Sequence, residues 1–229
     1  MSVGDMRKII AVEQAVLAKN DRMAELNRAE FHRRGIFVLN VLSSPGSGKT
    51  ALVARTLSDL AGKVSCGVIV GDLATDNDAQ RLRGHGAPVV QVTTDGRCHL
   101  EANMVAVAAD ELGLDGMRLL IIENVGNLVC PSAHDLGEDL RVVMLSVTEG
   151  EDKPLKYPTM FKTAEVVVVS KTDIAEAVEF NREAALTNIR RIAPQARIFE
   201  VSSRSGAGMA QWCAFLTERV AERSAQTAF

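Results

Sequence analysis

Ser43-Ser44-Pro45-Gly46-Ser47-Gly48-Lys49-Thr50 directly follows the apolar run IFVLNVL at 36–42. The segment matches the phosphate-loop pattern G-x-x-x-x-G-K-S/T, with Ser43 in place of the first glycine. Gly46 and Gly48 let the backbone turn its amides inward around a phosphate. A helix starting near Lys49 adds its positive N-terminal end. Lys49 is expected to reach the β- and γ-phosphates, and the Thr50 hydroxyl to bind Mg²⁺. Ser44, Pro45, Gly46, Ser47, Gly48 and Ala51 complete the expected nucleotide-binding loop. The Ser43 position is expected only to shape the turn. A strand before and a helix after separate this motif from a chance Gly/Ser-rich turn.

Further segments stand where nucleotide hydrolysis needs them. Gly71-Asp72 ends a second apolar run, so Asp72 can hold Mg²⁺ or orient the attacking water. Glu123-Asn124-Val125-Gly126 ends the run LLIIE. A carboxylate followed three residues later by Gly is the pattern of a γ-phosphate sensor. Each acid taken alone is more often a simple strand-end cap. Ser170-Lys171-Thr172-Asp173 follows EVVVV and resembles the guanine-reading N-K-x-D, with Ser for Asn. The Asp173 carboxylate can accept from guanine N1–H and N2–H₂, while the Lys171 stem covers the base. Ser202-Ser203-Arg204 resembles the S-A-K loop that meets the guanine oxygen. In this order, at successive strand ends, the four signals point to a P-loop GTPase with Lys49, Asp72 and Glu123 at its reacting end.

The soft donors are fewer. Cys98-His99 follows the run PVVQVTT, and Cys130 lies seven residues after Glu123. Two thiolates and an imidazole suit Zn²⁺ and Ni²⁺. The spacing is not that of a zinc finger, and taken alone it more often describes ordinary half-buried Cys and His. His134, four residues after Cys130, is a weaker candidate. Cys66 and Cys213 read as core residues, and His32 and His85 as surface residues.

The elements that must position these groups are legible as a pattern. Residues 5–34 read as a helix ended by Gly35, with Ile9, Val12, Val16, Met23 and Leu26 as its apolar stripe. Either it packs on its own domain or it is a partner-binding arm. From residue 36, strand candidates at 36–42, 64–70, 87–93, 117–123, 140–147, 164–170 and 196–202 alternate with helical segments. The helices are expected after Lys49 and at 76–84, 98–112, 174–192 and 206–223. This alternation predicts an α/β fold: a doubly wound, mostly parallel sheet with ligands at the strands' carboxyl ends. The division expected is an N-terminal helical arm, 1–35, and a P-loop GTPase domain, 36–229.

Composition sets bounds. The 229 residues are 47% apolar and only 4% aromatic, with a net charge of −3. The core must be aliphatic, and neither a basic nucleic-acid-binding surface nor base-stacking platforms are indicated. Four scattered cysteines do not make a disulfide framework. With no signal-peptide h-region and no run of about 18 apolar residues, the expected setting is soluble, reducing and cytoplasmic, without membrane insertion.

Three segments carry a specific resemblance: LNVLSSPGSGKT, GDLATDNDAQRLRGHGAPVVQVTTDGRCHLEANMV and IIENVGNLVCPSAHDLGE. They resemble the HypB family, GTPases that help insert nickel into nickel–iron hydrogenases. The resemblance runs from the N-terminal helix to about residue 205. It implies a fold of the SIMIBI type, shared with signal-recognition and nitrogenase-iron-protein-like GTPases. It implies a GTP-dependent homodimer, and it places Ni²⁺ or Zn²⁺ on Cys98, His99 and Cys130. TEGEDKPLKYP resembles a family segment whose lysine, here Lys156, lies near the nucleotide across the dimer. A HypA-type nickel-binding partner and the hydrogenase large subunit are the implied partners.

The chain departs from many relatives in having no cysteine before Cys66 and only His32 in its arm. High-affinity N-terminal nickel capture and nickel storage are therefore not expected. The mechanism expected is a switch. GTP and Mg²⁺ bind at Lys49, Thr50 and Asp72, and Glu123 and Gly126 sense the γ-phosphate. Hydrolysis then alters the geometry of Cys98, His99 and Cys130. Glu123 acts as a general base or simply positions water. The alternatives are a urease-type nickel-delivery GTPase and a metal-binding scaffold with an inert P-loop.

Overall fold

Alternation of side chains along a strand places successive residues on opposite faces. In β1 (Phe37–Leu42) all six residues are buried and all but Asn40 are apolar. Phe37, Leu39 and Val41 join one aliphatic cluster, while Val38 and Leu42 enter clusters on the other face. A strand covered on both sides in this way belongs in the middle of a parallel sheet. The computed structural model describes residues 3–72, 77–94 and 96–227, with side chains described from residue 15 onward.

The remaining strands are β2 (Cys66–Asp72), β3 (Val89–Thr93), β4 (Leu119–Glu123), β5 (Leu140–Ser146), β6 (Val166–Ser170) and β7 (Arg197–Glu200). Among the described residues they form one seven-stranded sheet in the order β3-β2-β4-β1-β5-β6-β7. Every pairing is parallel. All seven expected strands are present, each within its expected span or slightly past its end. The chain reverses its direction of growth across the sheet at β1, so a crevice opens beyond its carboxyl end. Each fully buried Val, Leu or Ile of these strands contributes about 1.5–3 kcal/mol of transfer free energy.

The helices are α1 (Val3–Arg33), α2 (Lys49–Leu60), α3 (Asn77–Leu82), α4 (Ala102–Leu112), α5 (Lys153–Lys156), α6 (Pro158–Lys162), α7 (Arg182–Ile192) and α8 (Met209–Thr227). α2, α3 and α8 cover one face of the sheet through Leu52, Leu57, Leu82, Trp212 and Leu216. α4 and the end of α1 cover part of the other face, and α6 and α7 the rest. The segment expected to be one helix at 174–192 is a short turn, Thr172–Ile174, followed by α7. Asn181 accepts the Ala184 amide and starts that helix anew. Residue 76 of the expected 76–84 helix lies outside the described residues.

The arm differs from its expected stripe. Val16 and Leu26 are 54% and 63% exposed. The Ile9 and Val12 side chains lie outside the described residues. The buried face is instead Asn20, Ala24, Asn27 and Phe31, at the i, i+4, i+7, i+11 spacing of one helix face. Asn20 accepts the Ala102 amide at 2.9 Å and donates to the Asp135 carbonyl at 2.8 Å. Asn27 donates to the carbonyls of Ala102 and Leu136. The arm thus docks by polar side chains that satisfy the start of α4 and the loop before β5. Gly35 ends the approach with φ +69°. His32 is not a free surface residue: its Nε2 lies 2.7 Å from Asp139, which also accepts from Arg223 of α8.

Candidate functional site

The phosphate loop joins β1 to α2, and its two turning glycines, Gly46 (φ +76°) and Gly48 (φ +94°), have left-handed backbones. Lys49 is buried and donates to Ser43 Oγ at 3.0 Å. Ser43 therefore does more than shape the turn, since its hydroxyl holds the Lys49 ammonium. Burial lowers the Lys49 pKa, which marks a cation with too little negative charge around it. Ser47 donates to the Ser44 carbonyl and to Glu149.

β4 pairs with β1 and β2, so Glu123 lies level with Val41 and Val70. Its Oε1 accepts the Thr50 hydroxyl at 2.6 Å. Its Oε2 is buried and has no hydrogen-bond partner among the described residues. Burial pushes this carboxyl up to about 7, against the opposing pull of Thr50 and Lys49. An orphaned carboxylate oxygen beside a threonine hydroxyl and a buried lysine fits a place for a hydrated cation and a phosphate. Asp72, Thr50, Lys49, Val125 and Gly126 border one cleft of about 420 Å³. Asp78 and Arg81 of α3 also line it; sequence reasoning missed both, although they lie in a segment that carries the family resemblance. A Cβ on Gly126 would stand 3.1 Å from Pro45 Cα, so a larger residue there would press the phosphate loop away by a few tenths of an ångström.

A second cleft of about 210 Å³ adjoins the loop and brings together Ser47, Gly48, Ala51, Ser170, Lys171, Asp173, Ser203 and Arg204. Lys171 has a left-handed backbone, and its Nζ donates to the Gly46 carbonyl at 2.7 Å. Its stem thus lies over the phosphate loop, as a base-covering lysine requires. Ser170 donates to the Ser47 carbonyl. Ser202 is fully buried and donates to Asp173 at 2.6 Å, orienting the carboxylate without lining the cleft. Lys156, on α5, borders neither cleft of its own chain; it is exposed and paired with Asp152. Glu149 went unrecognised in the sequence: it accepts from Ser47 and from the Ser146 amide and pairs with Lys153.

The soft donors converge. One ligand atom each from Cys98, His99 and Cys130 lies within 4.8 Å of the others. Contrary to the expectation of free thiols, Cys98 and Cys130 are joined as a disulfide, with Cα atoms 6.2 Å apart, so they can ligate a metal only once reduced. The adjacent His99 ring has its pKa lowered by burial and by His134, which favours the neutral imidazole a metal needs. Cys98 and His99 precede α4 rather than start it. Leu100 donates its amide to Asn124 Oδ1 at 3.3 Å, and Asn20 takes the Ala102 amide, so the helix begins only there. Asn124 is a further site residue that the sequence did not single out. Its Oδ1 also accepts the Val125 amide, and its Nδ2 donates to Asn40. One buried amide therefore ties the sensor strand to the segment bearing Cys98 and His99. Cys66 and Cys213 are buried filler, their thiols pushed up to about 12 and about 11 by burial.

Comparison with known proteins agrees with this geometry. Residues 37–200 match the family model described as CobW/HypB/UreG, nucleotide-binding domain. The hydrogenase maturation factor HypB of Azotobacter chroococcum is 51% identical over 210 residues, 91% of this chain and 68% of that protein. The crystal structure of HypB from Helicobacter pylori in complex with nickel superposes with a TM-score of 0.84 at 42% identity, over 90% of this chain and 97% of that one. The signal recognition particle protein of Aeropyrum pernix, solved with GDP, shares the fold at TM-score 0.57 and 16% identity, over 81% of this chain and 49% of that one. The chain belongs to the CobW/HypB/UreG family of P-loop GTPases, within its HypB group of hydrogenase maturation factors.

Proposed function

We propose that this chain is a GTP-hydrolysing nickel metallochaperone, in which the state of the nucleotide sets the geometry of a metal site at Cys98, His99 and Cys130. One observation carries the reading: Asn124, next to Glu123, holds both the Val125 amide of the sensor and the Leu100 amide beside His99. The Leu100 side chain also packs where a Cβ of Gly71 would be, next to Asp72. Cys130 lies on the chain that leaves the sensor. A displacement of the ends of β2 and β4 therefore reaches all three soft donors.

The residues take these roles. Lys49 and the loop amides hold the phosphates. Asp173, set by Ser202, accepts from a guanine edge, and Lys171 covers the base. Thr50 and Asp72 would hold Mg²⁺, which when bound neutralises charge on the β- and γ-phosphates. Glu123, orphaned at Oε2, orients or deprotonates the attacking water. Loss of the γ-phosphate frees Gly126 and lets the sensor relax, so the soft-donor site has a different binding energy in the two states. Nickel is the cargo and a hydrogenase its destination, supported by the nickel-bound relative and the names of the relatives above; the large subunit is the expected recipient. A HypA-type nickel-binding protein is the expected donor. In the expected division into an arm, 1–35, and a GTPase domain, 36–229, Asn20 and Asn27 of the arm brace the segments beside the soft donors. The expected setting is the cytoplasm, where the Cys98–Cys130 bond would be kept reduced and both thiolates free to ligate; no described helix is long and apolar enough to cross a membrane.

Phosphate release tests the enzymatic half. The full chain with Mg²⁺ should hydrolyse GTP and not ATP, and Lys49→Ala should be slower by about 10²-fold or more. Absence of GTP hydrolysis by the unmodified chain would contradict the reading and favour a scaffold with an inert loop.

A further inference from the structure

His134 sits just past the short helical turn Cys130–Ala133. Its ring stacks on His99, with centroids 3.8 Å apart and planes inclined by 27°. Its Nδ1 lies 3.0 Å from the Cys130 carbonyl oxygen. A carbonyl can only accept, so Nδ1 carries the proton. The neutral ring then has a bare lone pair on Nε2. Ligating histidines are usually oriented in this way, one ring nitrogen donating to a backbone carbonyl while the other faces the metal. Here the carbonyl belongs to one of the cysteines of the trio.

Cys98, His99 and Cys130 supply three donors, and a four-coordinate ion has one position left. The His134 nitrogens stand outside the 4.8 Å cluster, but the ring lies against one of its members. Beyond the ring is a cavity of about 270 Å³ that His134 lines together with Met23, Arg97 and Glu101. The ring thus borders open space, and to bring a nitrogen onto the trio it must leave its stack on His99.

We propose that His134 supplies the fourth ligand of the metal held by Cys98, His99 and Cys130, making a two-thiolate, two-imidazole site. The proposal rests on reading the trio as a metal site. A set of two sulfur and two nitrogen donors suits a closed tetrahedral Zn²⁺ centre and also accepts Ni²⁺. Because His134 follows Cys130 on the segment leaving the sensor, its approach is tied to the same switch.

X-ray absorption of the full, reduced chain loaded with one equivalent of Zn²⁺ tests this, with affinity measured by competition against a chromophoric chelator. The unmodified chain should show two sulfur and two imidazole scatterers. His134→Ala and His134→Phe should each show one imidazole and bind about tenfold or more weakly. Phe keeps an aromatic ring against His99, so a packing role alone would leave His134→Phe with the affinity of the parent. A single imidazole in the parent, or His134→Phe binding as tightly as the parent, overturns the assignment of His134 and leaves the trio intact. A parent without sulfur scatterers, or a Cys98→Ser/Cys130→Ser variant binding as tightly as the parent, overturns the trio and this proposal with it.

Discussion

Three buried polar side chains, Lys49, Glu123 and Asn124, connect the chemistry at the scale of single residues. Glu123 is the least comfortable of them. Its folded pKa of about 7 stands above the ordinary 4.5, because burial penalises the ionised form. A raised acid stabilises the fold fully below its unfolded pKa, and that contribution is lost as pH rises through the folded value. The nucleotide-free chain should therefore lose stability between about pH 4.5 and pH 7 through this group. Glu123→Gln, which cannot ionise, should gain on the parent over that window; urea midpoints at pH 5 and pH 8 give the comparison. Parallel midpoints for the two proteins would show that Glu123 titrates normally. The unfavourable carboxylate is consistent with a site shaped for a cation and an anion rather than for the empty fold.

The arm is held at the scale of elements by hydrogen bonds where an apolar stripe was expected. Asn20→Ala and Asn27→Ala each leave buried amide or carbonyl groups of Ala102, Asp135 or Leu136 unpaired, and should cost about 1–3 kcal/mol in urea denaturation. Leu26→Ser, on the exposed face, should stay within about 0.5 kcal/mol. The reverse order would restore the apolar stripe. This marks where the sequence was legible and where it was not. Runs such as VVVVS and LLIIE announced strands because burial on both faces leaves polar residues only at the carboxyl ends, Ser170 and Glu123. The phosphate loop, Glu123, Lys171 and Asp173 were legible because backbone amides and base edges demand fixed residue types. Asn20, Asn27 and Asn124 were not, since an asparagine that caps a distant backbone has no periodic signature. The short helices α5 and α6, each opened by a proline at its start, were too brief to show a period. Asp78 and Arg81 became visible only when α3 folded beside the loop.

Single-chain geometry leaves one expected participant without a role at the scale of the whole molecule. Lys156 borders neither nucleotide cleft of its own chain and is held outward by Asp152. If the chain forms the expected GTP-dependent homodimer, Lys156 would reach the partner's nucleotide. GTP hydrolysis per subunit should then rise with protein concentration. Lys156→Ala should abolish that rise while leaving GTP binding to the monomer within about twofold, a change of under about 0.5 kcal/mol. A rate independent of concentration in the parent would deny Lys156 this role.

The central claim is that the nucleotide and the soft-donor site share one mechanical linkage through Asn124 and the segment from Glu123 to Cys130. Nickel affinity of the full, reduced chain, measured with GDP and with a non-hydrolysable GTP analogue, tests it most directly. The account predicts affinities that differ by about fivefold or more between the two states, and a difference that shrinks in Asn124→Ala. Equal affinity and equal metal spectra in both states would contradict it.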